Sequence, residues 1–217
     1  MINTILFDFD GTLVNTNKVI IESWQHTYRH FLGREESLER ITACFGEPLL
    51  ITMSREFPDV DPEESADVYR NYQKDHASDL VESFPGVEDL LGALKEKDYT
   101  LFIVTSRTRE SAERYLKLLG IEDYFRGMIS CDDTEIHKPH PEPIFCALRE
   151  LGIDKSQAIM VGDSPFDIKC ANNADVKSVM VGWGIVNGSS CPIEDWKADF
   201  EIENPLELLD VLEKIEE

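Results

Sequence analysis

Asp8 and Asp10 stand two residues apart at the end of an apolar run, Thr4 to Phe9, with Gly11 directly after them. The run reads as a short buried strand, and alternate strand residues share a face. Both carboxylates are therefore expected to point the same way at the carboxyl end of a strand, where open α/β sheets bind their ligands. Gly11 permits the sharp turn that ends such a strand. Neighbouring carboxylates repel each other, and a bound cation with phosphate chemistry would relieve that cost.

Three further segments could serve the same chemistry. Ile103-Val104-Thr105-Ser106 is an apolar run ending in hydroxyls. Lys138-Pro139-His140-Pro141-Glu142-Pro143 sets a lysine on a loop stiffened by prolines. Ile159 to Asp167 reads Ile-Met-Val-Gly-Asp-Ser-Pro-Phe-Asp. Strand ends at Asp8, Thr105, Asp132 or Asp133, and Asp163 would gather polar groups from distant sequence into one place. Phosphoryl transfer needs such a gathering: a nucleophile in line, a cation on the oxygens, and donors on the rest.

These four segments, in this order, resemble the four motifs of the haloacid dehalogenase superfamily in its phosphatase branch, and the resemblance covers essentially the whole chain. It implies Asp8 as the nucleophile that forms an aspartyl-phosphate. It implies Asp10 as general acid and base, with its backbone carbonyl offered to a metal. The dehalogenase branch lacks that second Asp. Asp163 becomes a further metal ligand beside Asp8, in an oxygen set that suits Mg2+. The Thr105 hydroxyl, the Ser106 amide, Lys138 and Gly11 would bind phosphate, with Thr12 in support. Asp167 would orient a metal-bound water or pair with Lys138; a first-turn acid satisfying a helix dipole is its alternative reading.

The elements that must position these residues alternate. Val87 to Lys97, Thr108 to Gly120, Pro143 to Leu151, Phe166 to Asn173 and Pro205 to Ile215 carry helical periodicity. Between them Thr100 to Val104, Met128 to Ser130, Ala158 to Val161, Lys177 to Val181 and Phe200 to Ile202 read as strands. This predicts an α/β fold, a Rossmann-like parallel sheet with helices on both faces. The stretch from Asn17 to Leu80 reads as all helical. Asn15 or Asn17 can cap its first helix, Ser37 starts a short second one with Leu38, Ile41 and Phe45 on one face, and Asp61-Pro62-Glu63-Glu64 starts a long one. The predicted organisation is a core of residues 1–15 and 82–217 with a small all-helical cap, residues 16–81, inserted after the first strand. In the resembled superfamily such a cap closes over the active site.

The cap must then choose the substrate. Phe45, Gly46 and Glu47 sit at a turn between helices, at a plausible tip. His26, four residues before His30, and Arg107 and Arg109, just after Thr105, are further candidates. Asn15-Thr16-Asn17, Ile20-Ile21, Ser23, His26-Thr27, His30 and the F-x-G-x-P-L-like turn resemble pyrophosphatases of the PpaX type. Many phosphoglycolate phosphatases carry Asp at the position of Asn15. The resemblance therefore implies pyrophosphate as substrate, with phosphoglycolate or another small phosphate monoester as the alternative. A β-phosphoglucomutase-type isomerase or a non-catalytic phosphate-binding module fits less well, because the cap lacks the isomerase's Arg-rich segment while Asp8, Asp10 and Lys138 are all present.

The chain has 217 residues, 43 acidic against 21 basic, for a formal net charge of −22. Such a field repels nucleic acid and anionic membranes, so a small phosphorylated substrate needs a locally neutralised site. Five cysteines (Cys44, Cys131, Cys146, Cys170, Cys191), an odd count without a CxxC pair, predict reduced and buried thiols in a reducing compartment. The N-terminal apolar run carries two aspartates and reads as a core strand, not a signal segment. The expectation is a cytoplasmic monomer or homodimer.

Overall fold

A computed structural model of the protein describes residues 1–184 and 194–216. Six parallel strands form its main sheet: β1 (Thr4–Phe7), β4 (Thr100–Val104), β5 (Gly127–Ile129), β6 (Ala158–Gly162), β7 (Lys177–Val181) and β8 (Phe200–Ile202). Their spatial order is β5-β4-β1-β6-β7-β8. Counting only these strands, the order is 3-2-1-4-5-6, that of the doubly wound fold. The order reverses between β1 and its two neighbours, so the crevice at the switch point opens at the carboxyl end of β1.

Both faces of the sheet are buried. Ile5, Phe7, Ile103, Ile159 and Val161 face one apolar cluster, and Leu6, Phe102, Val104 and Met160 face another. The period of two is that of a strand with both sides covered. Helices α5 (Val87–Glu96), α6 (Arg109–Leu119) and α9 (Glu207–Glu216) cover the first face. Helices α7 (Glu142–Leu151) and α8 (Pro165–Ala174) cover the second. The helices α6 and α7 stop at Gly120 and Gly152, both left-handed, a conformation that costs glycine no side-chain clash.

Between β1 and β4 the chain builds α1 (Asn17–Leu32), α2 (Leu38–Thr42), α3 (Leu49–Glu56) and α4 (Pro62–Leu80). These pack around their own cluster of Trp24, Tyr28, Ile41, Met53, Phe57, Ala66 and Tyr69. Asp61 caps α4 as its sequence predicts, accepting from the amides of Glu63 and Glu64. Within the cap a buried carboxylate, Glu56, accepts from the Tyr28 hydroxyl at 2.8 Å and from Arg40 and Arg55 at 2.8 and 3.2 Å. Leu38 departs from expectation. It is 58% exposed at the first position of α2, whereas Ile41, three residues on, is buried.

Two elements carry no signal in the sequence. β2 (Val14–Asn15) and β3 (Glu82–Ser83) pair antiparallel, and the Asn15 amide donates to Glu82 at 3.1 Å. This ribbon joins the outgoing and returning chain where the helical segment departs. Two residues per strand are too few for a periodic signal. The first strand also ends at Phe7 and not at Phe9. The Asp8 amide still donates to Val161, but the Phe9 carbonyl turns to accept the amides of Leu13 and Val14.

Among the described residues no helix is long and apolar enough to cross a membrane. Cys44 and Cys170 are buried free thiols. Cys131 and Cys146 are only half-buried, a correction to the expectation that every thiol is enclosed: Cys146, midway along α7, packs on the margin of the core. Cys191 lies outside the described residues.

Candidate active site

Asp8 leaves β1 at the switch point and is buried beside β6. Its Oδ1 accepts from Lys138 Nζ at 2.7 Å. The same ammonium donates to Asp167 Oδ1 at 2.6 Å and to the Val104 carbonyl at 3.1 Å. All three donors of a buried lysine are thus used, which is what a buried cation requires. Asp167 is enclosed as well. Its other oxygen caps the start of α8, accepting the Ser164 hydroxyl at 2.5 Å and the Ser164 amide at 3.1 Å. Asp167 thus pairs with Lys138 and at the same time serves the helix start, two of the three roles its sequence position offers.

Asp163 directly follows β6 and is buried beside Asp8. Oxygens of Asp8, Asp163 and Asp167 lie within 4.8 Å of one another. Burial, then the charge of Asp167, pushes the Asp8 carboxyl up to about 7 despite Lys138. Burial and the charge of Asp8 raise Asp163 as well. Three carboxylates share one lysine, so the cluster is short of positive charge. Asp167 has both oxygens engaged, whereas Asp8 keeps one open and Asp163 accepts no hydrogen bond among the described residues. A hard divalent cation fits these donors, and its charge would reverse the upward shifts. Gly11, at φ +76°, explains its own presence here. A side chain on it would collide with the Asp163 carboxylate, and one on Gly184 would meet the same group.

Asp10 faces the same cleft with a different set of partners. Arg107 grips it with Nη2 at 2.7 Å from Oδ1 and Nε at 2.9 Å from Oδ2. Thr16 adds its hydroxyl to Oδ1 at 2.6 Å. Thr16 is also the residue before α1, yet its side chain does not cap that helix. The capping expected of Asn15 or Asn17 does not occur; the hydroxyl at the helix start serves Asp10 instead. The Arg107 guanidinium lies against two neighbouring aromatic rings, 4.7 Å from the centre of Tyr115 and 5.9 Å from that of Phe9.

Thr105 ends β4, and its hydroxyl oxygen accepts the Arg107 amide at 3.1 Å, leaving its proton free to donate elsewhere. The Ser106 hydroxyl reaches the carbonyl of Gly46 at 3.5 Å, so the tip of the helical segment rests on the loop after β4. Phe45, Gly46 and Glu47 line the cleft with Asp8, Asp10, Gly11, Thr105, Ser106, Arg107, Lys138 and Asp163. Glu47 is pinned by Thr52 at 2.8 Å and Arg55 at 2.9 Å. The cavity between the helical segment and the sheet is about 810 Å3.

The profile of the haloacid dehalogenase-like hydrolase family matches residues 5–181. The chain belongs to the haloacid dehalogenase-like hydrolases. It is 38% identical over 218 residues to the pyrophosphatase PpaX of Halalkalibacterium halodurans, covering 97% of each chain. It is 40% identical to the pyrophosphatase PpaX of Bacillus pumilus over 85% of each. A haloacid dehalogenase-like family hydrolase from Streptococcus pneumoniae superimposes with a TM-score of 0.85 at 27% identity, over 97% of this chain and 98% of that one.

Several residues named from the sequence lie elsewhere in this hydrolase. His26 is on the outer side of α1, its ring 4.8 Å from Tyr72 and 6.4 Å from His30, away from the cleft. The inner face of α1 is occupied by Trp24 and Tyr28, which leaves His26 outside. Arg109 donates to Asp133 at 2.7 Å and to the Met128 carbonyl at 2.9 Å, so it braces β5 and is not a cation of the cleft. Asp133 is thereby spent on structure, and Asp132 accepts the Arg109 amide. Thr12 is buried; its carbonyl accepts from the Trp183 indole at 3.0 Å, and its hydroxyl lies outside the cleft lining. Sequence reasoning missed Gln73 and Tyr69 on α4, both buried and both lining the cleft. Their four-residue spacing on an amphipathic helix is the signal that could have marked them, although core residues share it.

Proposed function

We propose that this hydrolase cleaves pyrophosphate to two orthophosphates through a phosphorylated Asp8. The observation that carries the reading is the placement of Asp8: at the switch point, with Lys138 on one oxygen and the other open to the cleft. The open oxygen attacks one phosphorus, and the bond from that phosphorus to the bridging oxygen breaks. The departing orthophosphate takes its proton from Asp10 or from solvent. Water then attacks the phosphorus of the aspartyl-phosphate while Asp10 accepts the water's proton, which releases the second orthophosphate and restores Asp8. Lys138 keeps Asp8 aligned, and the Thr105 hydroxyl with the Ser106 amide donates to the transferred oxygens. Asp8 and Asp163, with the Asp10 carbonyl, would hold Mg2+, which when bound neutralises charge on the phosphoryl oxygens.

Leaving-group chemistry makes an anhydride less demanding of a general acid than an alkyl ester. Arg107 and Thr16 hold the Asp10 carboxylate in one orientation at the cleft. Orthophosphate leaves readily without a full proton, whereas an alkoxide needs one. The similarity to the PpaX pyrophosphatases supports the same substrate. Residues 16–81 act as a cap whose tip, Phe45 to Glu47, closes the cleft, with the ribbon β2–β3 as the place where it turns.

The test is phosphate release with magnesium from pyrophosphate and phosphoglycolate side by side, with p-nitrophenyl phosphate as a generic ester. Preference for pyrophosphate is expected. Preference for phosphoglycolate overturns the substrate and leaves the aspartyl-phosphate chemistry standing.

A further inference from the structure

Gln73 lies on α4, one turn after Tyr69, and is 4% exposed. Its Oε1 accepts from Arg107 Nη1 at 3.1 Å and from the Tyr115 hydroxyl at 3.4 Å. Arg107 can only donate, so its bond fixes which end of the amide is oxygen. The Nε2 group is then left as a buried donor with no acceptor among the described residues. Leaving such a donor unmade is costly, and the residue lines the cleft. The guanidinium that Gln73 bonds is the one that grips Asp10, so the free amide sits one side chain away from the group that handles the leaving-group proton.

We infer that Gln73 is a specificity-determining residue, whose Nε2 donates to an anionic oxygen of the leaving group. The inference rests on the pyrophosphate reading and deepens it. The non-transferred phosphate carries several acceptor oxygens that must be met on the side of Asp10. Arg107 has at most one N–H to offer them: Asp10 holds Nε and one hydrogen of Nη2, and Nη1 is taken by Gln73 and by the Ser111 hydroxyl at 2.7 Å. A neutral amide supplies the donor without adding a second cation beside Asp10. The helical segment thereby reads the far end of the substrate, while the sheet reads the end that is transferred.

The experiment compares kcat/KM for pyrophosphate and for p-nitrophenyl phosphate, whose leaving group bears no anionic oxygen beyond the bridging one. Gln73→Glu keeps an acceptor for Arg107 and replaces the donor with a charged acceptor. Gln73→Met removes the donor without adding charge and guards against a variant that fails to fold. Both are expected to lose roughly ten- to hundredfold more on pyrophosphate than on the generic ester. Equal losses on the two substrates overturn the inference and make Gln73 a mere support for Arg107. If the unmodified enzyme releases no phosphate from pyrophosphate, the substrate reading fails first and takes this assignment with it. Pyrophosphate turnover with an unchanged ratio in both variants leaves the substrate standing and removes Gln73.

Discussion

Arg107 binds Asp10 through both carboxylate oxygens, at 2.7 and 2.9 Å, across 97 residues of sequence. The arginine side chain is 8% exposed and that of Asp10 is 28% exposed. A lysine could keep the charge but not the two-pronged grip. Arg107→Lys is therefore expected to lower kcat by about tenfold or more, because Asp10 is no longer held in one orientation. Steady-state kinetics check this, and unchanged kcat would mean that the clamp has no part in positioning Asp10.

Asp8→Asn keeps the shape of the side chain and removes the oxygen proposed as the nucleophile. Turnover should fall on the order of a thousandfold or more, while pyrophosphate still binds. Calorimetric titration alongside phosphate release separates the two. Near-normal turnover would end the assignment of Asp8.

Lys138 neutralises Asp8 and Asp167 from a site that is 4% exposed. Removing one partner of such a buried group costs about 3–5 kcal/mol. Lys138→Met should lower stability by that order in urea denaturation with chelator present. A loss below about 1 kcal/mol would show that the carboxylates find compensation elsewhere.

A divalent cation that binds the folded chain and not the unfolded one raises the melting temperature by mass action. Magnesium added to chelated protein should raise Tm, and Asp163→Asn should abolish most of the rise. Gly11→Ala should weaken it too, since the added methyl would collide with Asp163. A full thermal shift in Asp163→Asn would place the cation elsewhere.

The helical segment carries its own acid sensitivity. Burial alone would push the Glu56 carboxyl up, but the Tyr28 hydroxyl, Arg40 and Arg55 outweigh burial and hold it below the ordinary value. Because the folded form binds its proton less readily than the unfolded form, Glu56 stabilises fully above the ordinary glutamate value of about 4.3. That contribution is lost as pH falls through the depressed folded value. Urea midpoints at descending pH should show this decline. Glu56→Gln should be less stable at pH 7 and flatter over the acid range, and an unchanged slope would refute the assignment.

By itself the sequence determined the motif residues, the alternation of helix and strand and the helical insertion, because each rests on neighbours a few positions apart. Asp8, Thr105 and Asp163 each close an apolar run, and a parallel sheet brings such ends together. Asp61 and Gly120 announce helix ends through local backbone chemistry. Only the tertiary structure decided which partner each polar group takes. Arg107, read as a cation for the substrate, is committed to Asp10. Thr16 gives its hydroxyl to Asp10 and not to α1, His26 turns outward because Trp24 and Tyr28 fill the inner face, and Gln73 reaches the cleft only because α4 folds over it. Those outcomes depend on packing between segments tens of residues apart, where every donor and acceptor competes for partners that no local pattern can name.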